Sequence, residues 1–304
     1  MAELFEGDID CIAPVGAVLG EGPLWDPRIR RLLWLDIKGG KIYRLDPETR
    51  RIETIAAEGS VSALGLAAGG DYVCARRDGF ARLAIDKGAA KISPIADPEA
   101  GLAGNRFNDG KVDAKGGFWA GTMDEAEKAA SGAWWRLAPD GSLARLDDGY
   151  RVTNGPAFDP ARGLVYLTDS ARATIYAAAS DGERLGEKRE FLKFKQGEGY
   201  PDGMEVDREG CLWVAFWDGS AVRRFSPEGE ALECLAVPVP RPTSLTMVGD
   251  RLYVTSAAVG LSPEQLKAAP LSGGLFEARL ARPLGAAWRF EFGSEREKGK
   301  GKRE

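Results

Sequence analysis

The chain has 304 residues, 44% hydrophobic and 29% charged, with a net charge of −5 and a pI near 5.2. That acidic balance excludes a dedicated nucleic-acid binder and gives no general attraction to an anionic membrane surface. Histidine is absent, which excludes Ser-His-Asp and Cys-His catalysis, His-ligated zinc and any imidazole base, and leaves carboxylates, amides, Lys, Arg, Tyr or a metal on oxygen ligands.

The N-terminal stretch MAELFEGDID has no basic n-region and no apolar h-region, so no signal peptide is expected. No apolar run reaches the length of a membrane span. Cys11, Cys74, Cys211 and Cys234 are far apart and form no C-x-x-C pair, which reads as reduced thiols in a cytoplasmic protein. CIAPV, from Cys11, is a lone strand. EGPLWDPRIRRLLWLD, from Glu21, is strand, turn and strand, followed by a third strand in KIYRLD. SALGLAAGGDYVCA is a weaker copy of the same plan. The plan returns in NDGKVDAKGGFWAGT from Asn108, NGPAFDPARGLVYLTD from Asn154 and DGMEVDREGCLWVAF from Asp202, and more weakly in TSLTMVGDRLYVTS. EQLKAA, at 264–269, is the one helical stretch expected. GGLFEARL is a late strand, and SEREKGKGKRE is a charged tail with the composition of disorder.

Trp34, Val73, Trp119, Tyr166, Trp213 and Tyr253 mark the same strand in successive copies, at a spacing of about 40–47 residues, which is blade spacing in a propeller. Turn acids Asp26, Asp113, Asp159 and Asp207 close the first hairpin of the strong copies. The expected fold is all-β: a six-bladed β-propeller of four-stranded antiparallel blades, with one domain over 1–292 and a disordered tail over 293–304. CIAPV supplies the missing strand of the last blade beside GGLFEARL, which ties the termini together and hides two sheet edges.

Counting five residues back from each turn acid reaches Glu21, Asn108, Asn154 and Asp202. All offer oxygen, and all occupy one phase at the start of the channel-lining strand, so they converge at one end of the channel. The weaker copies put Ala63 and Thr243 there. Two carboxylates in a narrow channel repel each other, and a bound cation relieves the repulsion. Carboxylate and amide oxygens favour a hard ion: Ca²⁺ first, with Mg²⁺, Mn²⁺ or Zn²⁺ as alternatives. Asp36, Thr122–Met123 and Asp169 end the second strands near that rim. The loop DEAEKAASG after Met123 is expected to hang over the mouth as a lid, from which Glu125 or Asp124 reaches a ligand. Arg106, two residues before Asn108, offers a fork of donors to a hydroxylated or anionic ligand.

The motifs LGEGPLWD, RFNDGKVDAKGGFWAGTM, TNGPAFDP and YPDGMEVDREGCLWVAFW resemble those of the SMP-30/gluconolactonase family, which includes regucalcin and bacterial sugar lactonases. The resemblance runs from Val18 to Arg279 and is most specific at RFNDGKVD with GTM. It implies a six-bladed propeller with one divalent metal on Glu21, Asn154 and Asp202. It implies substrate contacts from Arg106 and Asn108, with Asp109 either binding substrate or shaping the turn. It does not extend to the lid loop or to Glu125.

The expected activity is metal-dependent hydrolysis of the ring ester of a sugar aldonolactone, a gluconolactone or pentonolactone. Asp202 is the candidate catalytic base, with a metal-bound hydroxide as the other candidate. The alternatives are a non-enzymatic calcium-binding regulatory propeller, and a hydrolase of organophosphates or other esters on the same site. The partner expected is a small sugar lactone, with no nucleic acid, no membrane and no obligate protein partner.

Overall fold

A computed structural model describes residues 4–57, 59–285 and 291–293. Six sheets, each built on four antiparallel strands, are arranged as blades. Their innermost strands are Gly20–Asp26, Val61–Ala67, Asn105–Val112, Thr153–Asp159, Tyr200–Val206 and Pro242–Val248. Each touches the innermost strand of the next blade, and the first touches the last, so the ring closes as expected. Blades are numbered here in that order.

The last blade is completed by the chain's first strand. Asp10–Ala13 pairs antiparallel with Leu275–Arg279, matching Cys11 with Phe276 and Ala13 with Leu275. This is the closure expected from CIAPV and GGLFEARL. Blade 2 carries an addition that nothing in the repeat announces: Glu291–Phe292 pairs parallel with Leu66 and Ala67 of its innermost strand. The rest of the expected tail, apart from Gly293, lies outside the described residues. The expected helical stretch is the short helix Pro263–Ala268, capped by Ser262, whose Oγ accepts from Gln265 N at 3.3 Å.

The apolar core is divided among the gaps between blades. In the gap between blades 4 and 5, Ala157, Tyr166 and Ile175 pack against Met204, Leu212 and Phe216. In the gap between blades 1 and 2, Leu33, Leu35 and Ile42 meet Leu64, Tyr72 and Leu83. Central strands are therefore buried on both faces, which explains continuous apolar runs such as Leu32–Leu35 in place of alternation. Burying each Leu or Phe of this kind contributes roughly 1.5–3 kcal/mol.

The turn acids pin the opposite end of each hairpin. Asp113 Oδ1 accepts from Lys115 N at 2.7 Å and Gly117 N at 2.9 Å, while Oδ2 accepts from Trp119 Nε1 at 2.9 Å and Arg136 Nε at 2.7 Å. Asp207 repeats the pattern with Glu209 N, Cys211 N, Trp213 Nε1 and Arg224 Nε at 2.8–2.9 Å. Both acids are fully buried, so the guanidinium and indole partners offset the cost of desolvating the charge. Asp207, Glu209 and Cys211 also converge closely enough to suggest a cation site. Arg224 already fills it, at 2.8 Å from Asp207 and 2.6 Å from Glu209.

Candidate metal centre

Every innermost strand breaks register with its neighbour at the same level. In blade 1 the break follows Glu21, and in blade 4 it follows Asn154. Asn108 and Asp202 lie inside the breaks of blades 3 and 5. A bulge re-aims a side chain that would otherwise alternate between sheet faces, and here it turns each toward the channel axis. Glycine makes the break possible. Gly155, after Asn154, has φ +93°, and a Cβ on Gly203, after Asp202, would lie 2.2 Å from Ser244 Oγ. The bulge in blade 2 corrects the expected register: Ser62, not Ala63, is skipped between the Val61–Arg76 and Ala63–Ala75 pairs. Thr243 holds the matching place in blade 6, as expected.

Glu21, Asn108, Asn154 and Asp202 all line one cavity of about 480 Å³ at the mouth of the channel. Glu21 is 7% exposed and Asp202 6%. Neither carboxylate forms an ion pair among the described residues. Glu21 accepts from the neighbouring Gly22 N at 2.9 Å, and Asp202 from the backbone of Gly203. Burial, and then the charge of Asp109, pushes the Glu21 carboxyl up to about 8. Burial, and then the charges of Glu21 and Asp109, pushes Asp202 well above the usual carboxylate range. Two buried carboxylates without an ion pair, lining one cavity with the amide of Asn154, fit a hard divalent cation, and the absence of imidazole and thiolate donors from the set fits one too.

Arg106 also lines the cavity. Its Nη1 donates to Phe107 O at 3.0 Å and to Asn108 Oδ1 at 2.8 Å, and its Nε and Nη2 have no hydrogen-bond partner among the described residues. Burial lowers its pKa, so the site holds this guanidinium at a cost that a polar ligand can offset. Asn108 is more committed than expected: Nδ2 donates to Thr153 O at 2.8 Å and Asn154 Oδ1 at 3.0 Å.

Asp109 sits below this layer. Its Oδ1 accepts from Gly110 N at 2.7 Å and its Oδ2 from Gly155 N at 2.9 Å. It faces a smaller channel cavity of about 120 Å³, together with Lys111. Burial raises it to about 6, while Lys111 and the two backbone donors hold it down. Both carboxylate oxygens of Asp109 are thus engaged by backbone N–H groups of the bulges in blades 3 and 4. Glu125 departs from expectation. It is exposed, pairs with Arg77 and does not line the cavity. Glu127, two residues on and at φ +57°, lines it instead. Asp36 and Asp169 are braces at the rim: Asp36 accepts from Val18, Leu19 and Gly39 N–H groups, and Asp169 from those of Arg151 and Arg172.

Several cavity residues carried no signal in the repeat. Lys38 stands on the turn after the second strand of blade 1, and Tyr200 opens blade 5. Arg241 lies over the Trp217 ring at 4.6 Å and is paired with Asp218. Ser170, directly after Asp169, links Asn154 to the carbonyl of Pro201, the residue before Asp202. The end of each second strand was expected at this rim, so its next residue was the available clue.

Fold and site together define a six-bladed propeller with a buried oxygen-donor centre at one end of its channel. Residues 19–258 match the SMP-30/Gluconolactonase/LRE-like region, and the chain belongs to that family. It is 34% identical over 280 residues to regucalcin of Gallus gallus, covering 88% of this chain and 93% of that protein. It is 33% identical over 280 residues to a 6-deoxy-6-sulfogluconolactonase of Pseudomonas putida, covering 90% and 96%. Among solved structures, a calcium-binding regucalcin from Agrobacterium tumefaciens superposes with a TM-score of 0.87 at 27% identity, covering 95% of this chain and 97% of that one. Among the described residues, no helix is long and apolar enough to cross a membrane.

Proposed function

We propose that this protein is a divalent-metal-dependent lactonase that opens the ring ester of a sugar aldonolactone to the aldonic acid. One observation carries the reading: Glu21 and Asp202 are buried with no ion-pair partner among the described residues, in a cavity of about 480 Å³ that they share with an arginine with unused donors. That volume lies within the usual range of small-molecule sites, about 300–1,000 Å³. Lactonase activity rests on kinship with the sulfogluconolactonase. Ca²⁺ is the ion proposed first, from the oxygen donor set and from the calcium-binding relative.

Glu21, Asn154 and Asp202 hold the ion. When bound, it supplies Lewis-acid polarisation of the lactone carbonyl. Arg106 donates to ring hydroxyls and orients the lactone. The second lone pair of Asn108 Oδ1 is open to a substrate hydroxyl. Asp202 takes a proton from the water that attacks the carbonyl carbon and returns it to the ring oxygen as the ester C–O bond breaks. The product is the open-chain hydroxy acid.

The remaining proposals are a single propeller domain over 1–292, a cytoplasmic location, and no nucleic-acid, membrane or obligate protein partner. The test is a panel of aldonolactones assayed with chelator-treated protein and again with each cation restored. Turnover that appears only with a cation supports the reading. Turnover unaffected by chelation, or confined to organophosphate or simple aryl esters, overturns it.

A further inference from the structure

We infer that Ser170 is a positioning residue that fixes which end of the Asn154 amide faces the cation. The inference rests on the metal site proposed above and adds a residue to it. Five groups form one hydrogen-bond chain across blades 3, 4 and 5. Arg106 Nη1 donates to Asn108 Oδ1 at 2.8 Å, and Asn108 Nδ2 to Asn154 Oδ1 at 3.0 Å. Asn154 Nδ2 donates to Ser170 Oγ at 2.8 Å, and Ser170 Oγ to Pro201 O at 2.6 Å. The backbone of Pro201 leads directly to Asp202.

The two ends set the direction of the chain. A guanidinium can only donate, and a carbonyl can only accept. Ser170 has one hydroxyl hydrogen, and Pro201 O takes it. Its Oγ can therefore meet Asn154 only as an acceptor, which requires the NH₂ end of the amide. Turning the amide over would set Asn154 Oδ1 against a hydroxyl with no hydrogen left, and Asn154 Nδ2 against Asn108 Nδ2. Both contacts are repulsive in a buried site, where an unmade bond carries its full desolvation cost. The oxygen is thus committed to the side of Asn108 and away from Ser170. Ser170 is itself buried and lies on the cavity wall. It stands in the short 3₁₀ turn Ser170–Arg172, which Asp169 caps by accepting from Arg172 N at 3.4 Å. Its position is therefore set by blade 4 and not by the ligand.

The experiment measures Ca²⁺ binding to the full chain by calorimetry and by the calcium-dependent rise in melting temperature. Ser170→Ala is expected to weaken the Ca²⁺ Kd by about 10–100-fold, the usual cost of losing a group that orients a metal ligand. Ser170→Thr, which keeps the hydroxyl, is expected to stay near wild type. Ser170→Cys keeps the volume but bonds weakly; it should fall between them, and it reads the same quantity should the alanine variant not fold. Asn154→Asp makes both ends of the side chain oxygen, so orientation no longer matters. In that background Ser170→Ala is expected to change the Kd by less than about twofold. Equal losses in both backgrounds mean that the hydroxyl acts through packing alone, and the inference fails. Wild-type Kd values for the alanine and cysteine variants also end it while leaving the metal site standing. A wild-type chain indifferent to Ca²⁺ and to every other divalent ion removes both.

Discussion

Glu21→Gln is expected to act in opposite directions with and without metal. The Glu21 carboxyl is pushed up from 4.5 to about 8 in the folded chain without a cation. Below pH 4.5 the group is protonated in both folded and unfolded states, and the shift has no effect on stability. Between pH 4.5 and 8 the unfolded chain releases the proton and the folded chain keeps it, so stability falls as pH rises through that window. At pH 7 the penalty is about 3 kcal/mol, at 1.36 kcal/mol per pKa unit. The substituted side chain carries no charge to desolvate, so in chelator at pH 7 the variant is expected to melt about 5 °C higher than the wild type, and at pH 4.5 to match it. With saturating Ca²⁺ the order reverses, because a charged ligand is lost and metal binding contributes less to the folded state. The assay is thermal unfolding across pH 4.5–8, with chelator and with Ca²⁺. A variant that melts lower than the wild type in chelator at pH 7 would falsify the reasoning, since it shows that Glu21 already has a stabilising partner.

Asp202→Asn keeps the size and one ligand oxygen; it is expected to lower kcat by at least about 10²-fold, and recovery of turnover at saturating metal makes Asp202 a ligand only. Arg106→Lys removes the planar fork and is expected to raise KM with a smaller change in kcat, checked by steady-state kinetics on the best lactone of the panel. Asp207→Ala leaves the buried Arg224 guanidinium short of one partner and is expected to cost about 3–5 kcal/mol, read from denaturant midpoints. An effect under about 1 kcal/mol there means that Glu209 and Glu233 suffice for Arg224.

The fold was legible because one supersecondary plan recurs and each strong copy ends on an acid with a defined task. Asp113 and Asp207 satisfy their own turn and an indole, so strand residues and turn acid vary together and the period stands out. The ligand layer was legible for the same reason: Glu21, Asn108, Asn154 and Asp202 keep a constant distance from the turn acid. Ser62 escapes that count because the blade 2 bulge skips one residue, and a one-residue slip in a strand exchanges its faces. Glu125 and Glu127 cannot be told apart by pattern, since a loop has no period from which to read direction, and Arg77, in another blade, captures Glu125. Ser170, Trp217 and Arg241 depend on which blades stand side by side at the rim. The pairing of Glu291–Phe292 with blade 2 joins segments far apart in the chain and, among the described residues, has no counterpart in the other blades.

The bulge shared by all six innermost strands has a consequence for how such a site can change over evolutionary time. Backbone re-aiming is already present in blades 2 and 6, where Ser62 and Thr243 carry small side chains that bond only to their own surroundings, Ser62 to Ala75 O and Thr243 to Gly20 O. A new donor at either place requires no new loop, but it does require room: Thr243 is fully buried, Ser62 is 2% exposed, and neither lines the cavity. Longer acidic or nitrogenous side chains at those two places would have to displace packed neighbours to reach the layer of Glu21 and Asp202. The ring of bulges thus offers six places, four of which carry donors in this chain, and packing at the other two sets what a substitution there costs.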